Sequence, residues 1–203
     1  MRHLTKGIAT LAVVSLALLA TGCNKGPAQA ALTVADQALA AATPEIEKYV
    51  PEELGALTSA AQAARAEVEK GNYTEALKAA QALPAQIQAA LAAATVKKDH
   101  MVAAWNDLSG SLPGLVQAIT GKLTGLAAAK ALPKGMTRDM LASAQTDLGS
   151  VTQAWTEATA AFQGGDIPKA LKTAQDVKAK ADALAGMLGL TGLAAAPAAP
   201  VPY

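Results

Sequence analysis

Residues 71–81 read GNYTEALKAAQ, and residues 165–175, ninety-four positions later, read GDIPKALKTAQ. Each phrase places a glycine and a polar residue directly before an alanine-rich run. Glycine tolerates the left-handed backbone conformation that ends many helices. In the runs that follow, apolar residues recur at spacings of three and four, as they do on one face of a helix. The phrase therefore predicts a turn between two antiparallel helices, and it occurs twice in one chain.

The similarity extends on both sides of these phrases. At the same offset, residues 54–89 match residues 148–183 at 14 of 36 positions, and half of the matches are alanine, which the composition inflates. The informative matches are the others: Leu54/Leu148, Gly55/Gly149, Thr58/Thr152, Gly71/Gly165, Leu77/Leu171, Lys78/Lys172 and Gln81/Gln175. We interpret them as a duplicated three-helix unit. The alternative is a shared compositional bias of two alanine-rich hairpins.

The composition favours helices throughout. Hydrophobic residues make up 52% of the chain but aromatic residues only 3%, because most of the apolar content is alanine. Alanine is the best helix former and buries little area per residue. Stripes with 3-4 spacing, typical of bundle contacts, include Leu57 and Ala64 in the first half and Val151 and Ala158 in the second. We found no convincing strand pattern, so we predict an all-α, elongated antiparallel bundle of about six helices.

The predicted domain boundaries follow from changes in composition. Ser109-Gly110-Ser111 is interpreted as the midpoint between the two three-helix units. The full division is a lipoprotein signal peptide at 1–22, a tether at 23–27, a first unit at 28–108, a second unit at 111–190 and a disordered Ala/Pro tail at 191–203. Three prolines in that tail forbid a regular helix there.

Several residues mark predicted helix ends. Pro51 stands at a first-turn position that tolerates proline. Ser111 is expected to cap the fourth helix and Thr137 the fifth. Pro84 is expected to kink the third helix without ending it, because the apolar stripe continues in register beyond it, and Pro44 is expected to break or kink the first.

The amino terminus has the form of an export signal. Arg2 and Lys6 precede an apolar segment at 8–20 that is short for a membrane span. The following LLATGC resembles a bacterial lipobox, whose cysteine carries the lipid, and Cys23 is the single cysteine of the chain. We therefore predict lipidation at Cys23; the alternative is an ordinary secretory signal that leaves a free thiol. By the same resemblance, Asn24 favours the outer membrane over the inner.

Charge and residue types predict no chemical site. Beyond residue 22 the chain has 15 basic and 16 acidic residues, so we expect no basic field for nucleic acid or an anionic membrane surface. His100 is the one histidine of that part and is interpreted as solvent-exposed; a haem held by His100 and a methionine is the alternative. No nucleophile lies beside a recognisable base. We expect no enzyme activity, no metal, no cofactor beyond the lipid and no small-molecule substrate.

The two tryptophans offer one possible interaction site. Trp155 falls on an apolar stripe and is predicted to lie in the core. Trp105 follows Met101 by four residues and precedes Leu108 by three. It is either a core residue or part of an exposed apolar patch near the midpoint, and an exposed patch would be a candidate partner site.

Two phrases in the first half resemble a known family. Residues 49–54 read YVPEEL and residues 71–73 read GNY. Over about residues 28–95 the chain resembles the alanine-rich domain of unknown function found in many proteobacterial envelope lipoproteins, which shows a Tyr-x-Pro-Glu-x-Leu phrase and a Gly-Asp/Asn-Tyr turn. The second half departs from it, with PKG at 133–135 and Ile167 in place of the tyrosine. The resemblance implies a location and a shape, and no activity.

These observations predict a lipid-anchored, periplasm-facing helical scaffold or interaction protein of the bacterial envelope. Its expected partners are the membrane, through the lipid anchor, and an unidentified envelope protein. The alternative is a periplasmic peptide-binding or chaperone-like protein, since residues 71–77 resemble the inner turn of a tetratricopeptide repeat. The 94-residue period and the missing first-helix pattern argue against that alternative.

Overall fold

A computed structural model describes residues 24–190 as five helices and no strand. The helices are α1 (Lys25–Tyr49), α2 (Pro51–Glu69), α3 (Tyr73–Ala128), α4 (Arg138–Gln163) and α5 (Ile167–Met187). The all-α prediction is confirmed, and the expected number of about six helices is corrected to five. Cys23, the signal peptide and the predicted tail lie outside the described residues.

The missing sixth helix is explained by α3, which runs unbroken for 56 residues through the predicted midpoint. Ser111 does not cap a helix; its hydroxyl donates a hydrogen bond to the carbonyl oxygen of Asp107 at 2.9 Å, one turn back. Leu108, Leu112 and Leu115 are buried across this segment. The burial of their apolar side chains outweighs the low helix propensity of the serines, glycines and proline at 109–114.

Three prolines lie inside helices without ending them: Pro44 in α1, and Pro84 and Pro113 in α3. Each proline removes one backbone donor and leaves a carbonyl without its helical partner. All three proline side chains are exposed, and both helices continue through them. The expectation that the helix continues through Pro84 is confirmed.

Because α3 is continuous, it belongs to both halves of the molecule. We call α1, α2 and residues 73–100 the first unit, and residues 101–128, α4 and α5 the second unit. In the first unit, the Asn24 side-chain amide donates to the Thr74 hydroxyl at 2.9 Å, so α1 and α3 start at the same end. In the second unit, α4 returns along α3, and α5 then runs outward again.

Small residues line the helix contacts in both units. Ala64 and Ala158 have no exposed surface, and Leu57 and Val151 are also buried. The predicted register is therefore confirmed in both halves. Alanine at these positions lets neighbouring backbones approach toward the short end of the usual range of about 8–10 Å between helix axes.

The two matching phrases form the same turn. Gly71 and Gly165 have φ values of +83° and +79°, in the left-handed region. After the first glycine, the Asn72 amide donates to the Glu67 carbonyl at 2.8 Å; after the second, the Asp166 amide donates to the Ala161 carbonyl at 2.9 Å. These bonds from the residue after the glycine are those of a Schellman motif. The predicted turn is confirmed in both places.

The helix starts agree with the sequence in α2 and α4 but differ in α1. Pro51 is the first residue of α2, and the Thr137 hydroxyl accepts a bond from the Met140 amide at 3.1 Å. However, α1 already begins at Lys25, so the tether predicted at 23–27 is helical from that residue onward. No helix within residues 24–190 has the length and apolar character needed to cross a bilayer.

Candidate functional site at the joint between the units

Aromatic side chains gather where the two units meet. Trp105 of α3 stacks on Trp155 of α4 with ring centroids 5.3 Å apart and an angle of 12° between the ring planes. It also stacks on Phe162 of α4 at 4.6 Å and 7°. Trp105 is only 5% exposed, so it is a core residue, and the possibility of an exposed patch around it is excluded. Trp155 is half-buried against the same core, as predicted.

A second apolar cluster lies directly beside the aromatic stack. Tyr49 and Val50, at the corner between α1 and α2, are buried with Ile167, the first residue of α5. Met101 and Phe162 pack against both this cluster and the one around Trp105. The cores of the two units are therefore continuous where the α1–α2 corner meets the turn between α4 and α5.

Polar contacts also connect the helices in this region. The Lys48 ammonium donates to the carbonyl oxygen of Gly165 at 2.5 Å, which connects the end of α1 to the turn between α4 and α5. Lys98 of α3 pairs with Glu45 of α1 at 3.2 Å. The ammonium groups of Lys48 and Lys98 lie 5.8 and 5.7 Å from the centroid of the Tyr49 ring, within the range of a cation–π contact. We call residues 45–50, Lys98 and the 162–167 turn with their contacts the joint.

These contacts shift two pKa values. Burial raises the pKa of the Tyr49 phenol, the charge of Lys98 opposes that rise, and Glu45 and Asp166 add to it. The pKa of Lys98 is raised mainly by its hydrogen bond and charge interaction with Glu45. Both shifts hold the groups in their usual neutral-pH forms, a neutral phenol and an ammonium. Neither Tyr49 nor Lys98 is therefore poised to exchange protons near neutral pH.

Among residues 24–190, no three His, Cys, Asp or Glu side chains lie close enough to hold a metal ion. His100 lies on the exposed side of α3, as expected. Cys23, the predicted lipid-bearing residue, precedes the first described residue, so its thiol has no place in this geometry.

A shallow groove of 390 Å³ lies between α2 and α3 in the first unit. Its lining consists of four alanines, a leucine and two polar residues: Glu53, Ala56, Leu57, Gln86, Ala89, Ala90 and Ala93. No aromatic side chain is among them, and aromatic anchors contribute much of the binding energy at most peptide and protein interfaces. The peptide-binding hypothesis gains no support from this groove.

Sequence patterns identified Trp155 on an apolar stripe and the phrases that contain Tyr49 and Ile167. They did not indicate that the α1–α2 corner faces the α4–α5 turn. The rarity of aromatic residues was a usable signal, because the chain has only six of them and four lie in this region.

Comparisons of the chain with protein-family models, with curated proteins and with solved structures give no match.

Proposed function

We propose that this chain is a lipid-anchored helical scaffold or interaction protein of the bacterial cell envelope, attached through Cys23 and facing the periplasm, without catalytic activity. The observation that carries the proposal is the lipobox-like LLATGC, which ends at Cys23, two residues before α1 begins at Lys25. A lipid on Cys23 would hold the amino-terminal end of the first unit against the membrane surface. Two or more acyl chains are needed for stable anchoring of this kind.

The length of α3 supports a spacing role. At about 1.5 Å per residue, its 56 residues extend roughly 84 Å. Asn24 lies beside the start of this helix, so an anchored molecule can hold its second unit far from the bilayer. The continuous core at the joint keeps the two units in line. A protein of this kind acts by setting the positions of its partners.

Lipidation is tested on the full chain in a bacterial host fed radiolabelled palmitate. We expect label on the wild-type protein and none on Cys23→Ala, together with a mature amino terminus at Cys23 in mass spectrometry. An unlabelled wild-type chain, or one cleaved at another residue, contradicts the anchor. Crosslinking in the intact envelope then tests the scaffold role, which would be contradicted by the absence of any protein or peptidoglycan adduct.

The choice of membrane is tested at the residue after the cysteine. Under this proposal, Asn24 directs the lipoprotein to the outer membrane, and Asn24→Asp increases the share of it that is found in the inner membrane. Density-gradient separation of the two membranes measures that shift. Asn24→Gln is the matched control, because it keeps an amide and adds no charge.

A further inference from the structure

The balanced charge of the chain hides an uneven distribution along the molecule. Residues 24–108 carry seven basic and ten acidic side chains, whereas residues 109–190 carry eight basic and six acidic ones. The basic excess is concentrated at the far end of α3, because residues 122–138 contain four cations and no acid. The expectation of no basic field, which was based on the total charge, does not hold at this end.

The four cations surround one short loop. Lys122 lies near the end of α3, Lys130 and Lys134 lie in the 129–137 loop, and Arg138 begins α4; all four are exposed. The Arg138 guanidinium donates to the carbonyl oxygen of Ala129 at 3.2 Å, which holds the two ends of the loop together. We call residues 122–140, in which the exposed Asp139 is the one acid, together with Met187 at the end of α5, the far tip.

Exposed apolar side chains accompany these cations. Only four large hydrophobic residues within 24–190 are exposed, and two of them, Met140 at 38% and Met187 at 41%, lie at the far tip. Leu126 near the end of α3, Leu141 near the start of α4 and Leu188 after α5 are buried in one core cluster. Cations beside exposed, flexible apolar side chains are typical of surfaces that enter a bilayer interface.

We propose that the far tip is a docking surface for an anionic phospholipid bilayer. The lysine ammonium groups contact headgroup phosphates, and Met140 and Met187 enter the boundary between headgroups and acyl chains. A second copy of the chain could also complement the charge, through the acidic first unit. That pairing requires antiparallel copies, whereas copies anchored in one leaflet stand parallel and place like charges side by side.

This proposal extends the proposed function in one respect. If Cys23 carries a lipid, the anchor and the far tip lie at opposite ends of α3, roughly 84 Å apart. The molecule would then connect two membrane surfaces across that distance. The choice of a bilayer over a second copy uses the anchor, but binding of the far tip to vesicles is measured without it, so the two parts can be tested separately.

Vesicle sedimentation tests the docking surface with the unlipidated chain from residue 24 onward, which contains all five helices. We expect it to bind vesicles of phosphatidylcholine with phosphatidylglycerol, to bind pure phosphatidylcholine far less, and to be released by salt. Each cation near an anionic surface changes the partition coefficient by about fivefold. Lys130→Gln with Lys134→Gln should therefore lower binding by about 25-fold.

The matched control is Lys169→Gln with Lys172→Gln, which changes the net charge equally at two exposed positions of α5 near the joint. Binding lost equally in both double variants, or binding to neither kind of vesicle, overturns the proposal. Self-association at low salt without vesicle binding also overturns it and indicates a second copy as the partner. A chain that binds vesicles but incorporates no palmitate would overturn the anchor and leave the docking surface standing.

Discussion

Alanine at a helix contact is a steric requirement in this molecule. Ala64 and Ala158 have no exposed surface, so a larger side chain at either site must push neighbouring helices apart. We expect Ala64→Leu and Ala158→Leu each to lower the free energy of unfolding by about 1–3 kcal/mol. Urea denaturation measures the change. Ala63→Leu and Ala142→Leu, at exposed positions of the same helices, should have little effect, and equal stability of all four variants would contradict the packing.

Replacement of glycine by alanine should have opposite effects on stability at Gly165 and at Gly149. Gly165 has φ +79°, a conformation that costs an alanine about 1–2 kcal/mol. Gly149 lies within α4, where a Cβ atom would meet nothing within 4 Å and where alanine is favoured by about 1 kcal/mol. Gly165→Ala should therefore lower the melting temperature and Gly149→Ala should raise it. A stabilising Gly165→Ala would show that the turn is not the one described.

The shifted pKa of Tyr49 predicts a dependence of stability on alkaline pH. Burial raises the pKa of the folded-state phenol above its ordinary value of about 10. The stabilisation is complete below the unfolded-state pKa and is lost as the pH rises through the higher folded-state value, because the unfolded chain gives up this proton more readily. Lys98, whose pKa is also raised, contributes a loss in the same pH range.

We therefore expect Tyr49→Phe to flatten the fall in unfolding free energy between about pH 9 and about pH 11. Tyr73→Phe, at the opposite end of the first unit, is the matched control. Guanidinium unfolding monitored by circular dichroism gives the free energy at each pH. An identical slope for wild type and Tyr49→Phe would contradict burial of the phenol.

At the scale of helices, α3 shows where sequence reasoning fails. Periodicity correctly identified the buried stripes and the turns at Gly71 and Gly165, because both depend on residues near one another in the chain. The Ser-Gly-Ser at 109–111 suggested a helix end that is absent, since local propensity says nothing about the helices packed alongside. The true change of partners occurs near Met101, which packs against both clusters. Only the three-dimensional meeting of the α1–α2 corner with the α4–α5 turn creates that boundary.

The continuity of α3 can be tested at the glycines that suggested a break. Gly110 and Gly114 lie within the helix, and a Cβ atom on either would meet nothing within 4 Å. Each change to alanine should therefore raise the free energy of unfolding by up to about 1 kcal/mol. Gly135→Ala is the control, because Gly135 has φ +88° in a real loop and the change should destabilise. Destabilisation by Gly110→Ala would favour two separate helices.

At the scale of the whole molecule, the thin core and the great length both follow from the alanine-lined helix contacts. Alanine-lined contacts bury little area per residue, so stability must accumulate along long helices instead of in a thick interior. Four of the six aromatic side chains lie at the joint. Without them, the two units would lose their alignment most easily at this point. Trp105, stacked on two rings at once, belongs to the core of the second unit, and its stacking partner Phe162 also packs against the cluster around Tyr49.

Small-angle X-ray scattering distinguishes this extended arrangement from a folded-over one. A compact domain of about this size has a radius of gyration of about 15 Å. A rod as long as α3, roughly 84 Å, reaches about 24 Å from its length alone. We expect the chain from residue 24 onward to give a radius of gyration near the larger figure.

The radius of gyration also tests which contacts hold the joint together. Lys48→Met removes the hydrogen bond to the Gly165 carbonyl and leaves the apolar contacts of Tyr49 and Ile167 in place. The radius should then stay unchanged while the melting temperature falls slightly, and a large change in the radius would mean that this single hydrogen bond, and not the shared core, holds the two units in line.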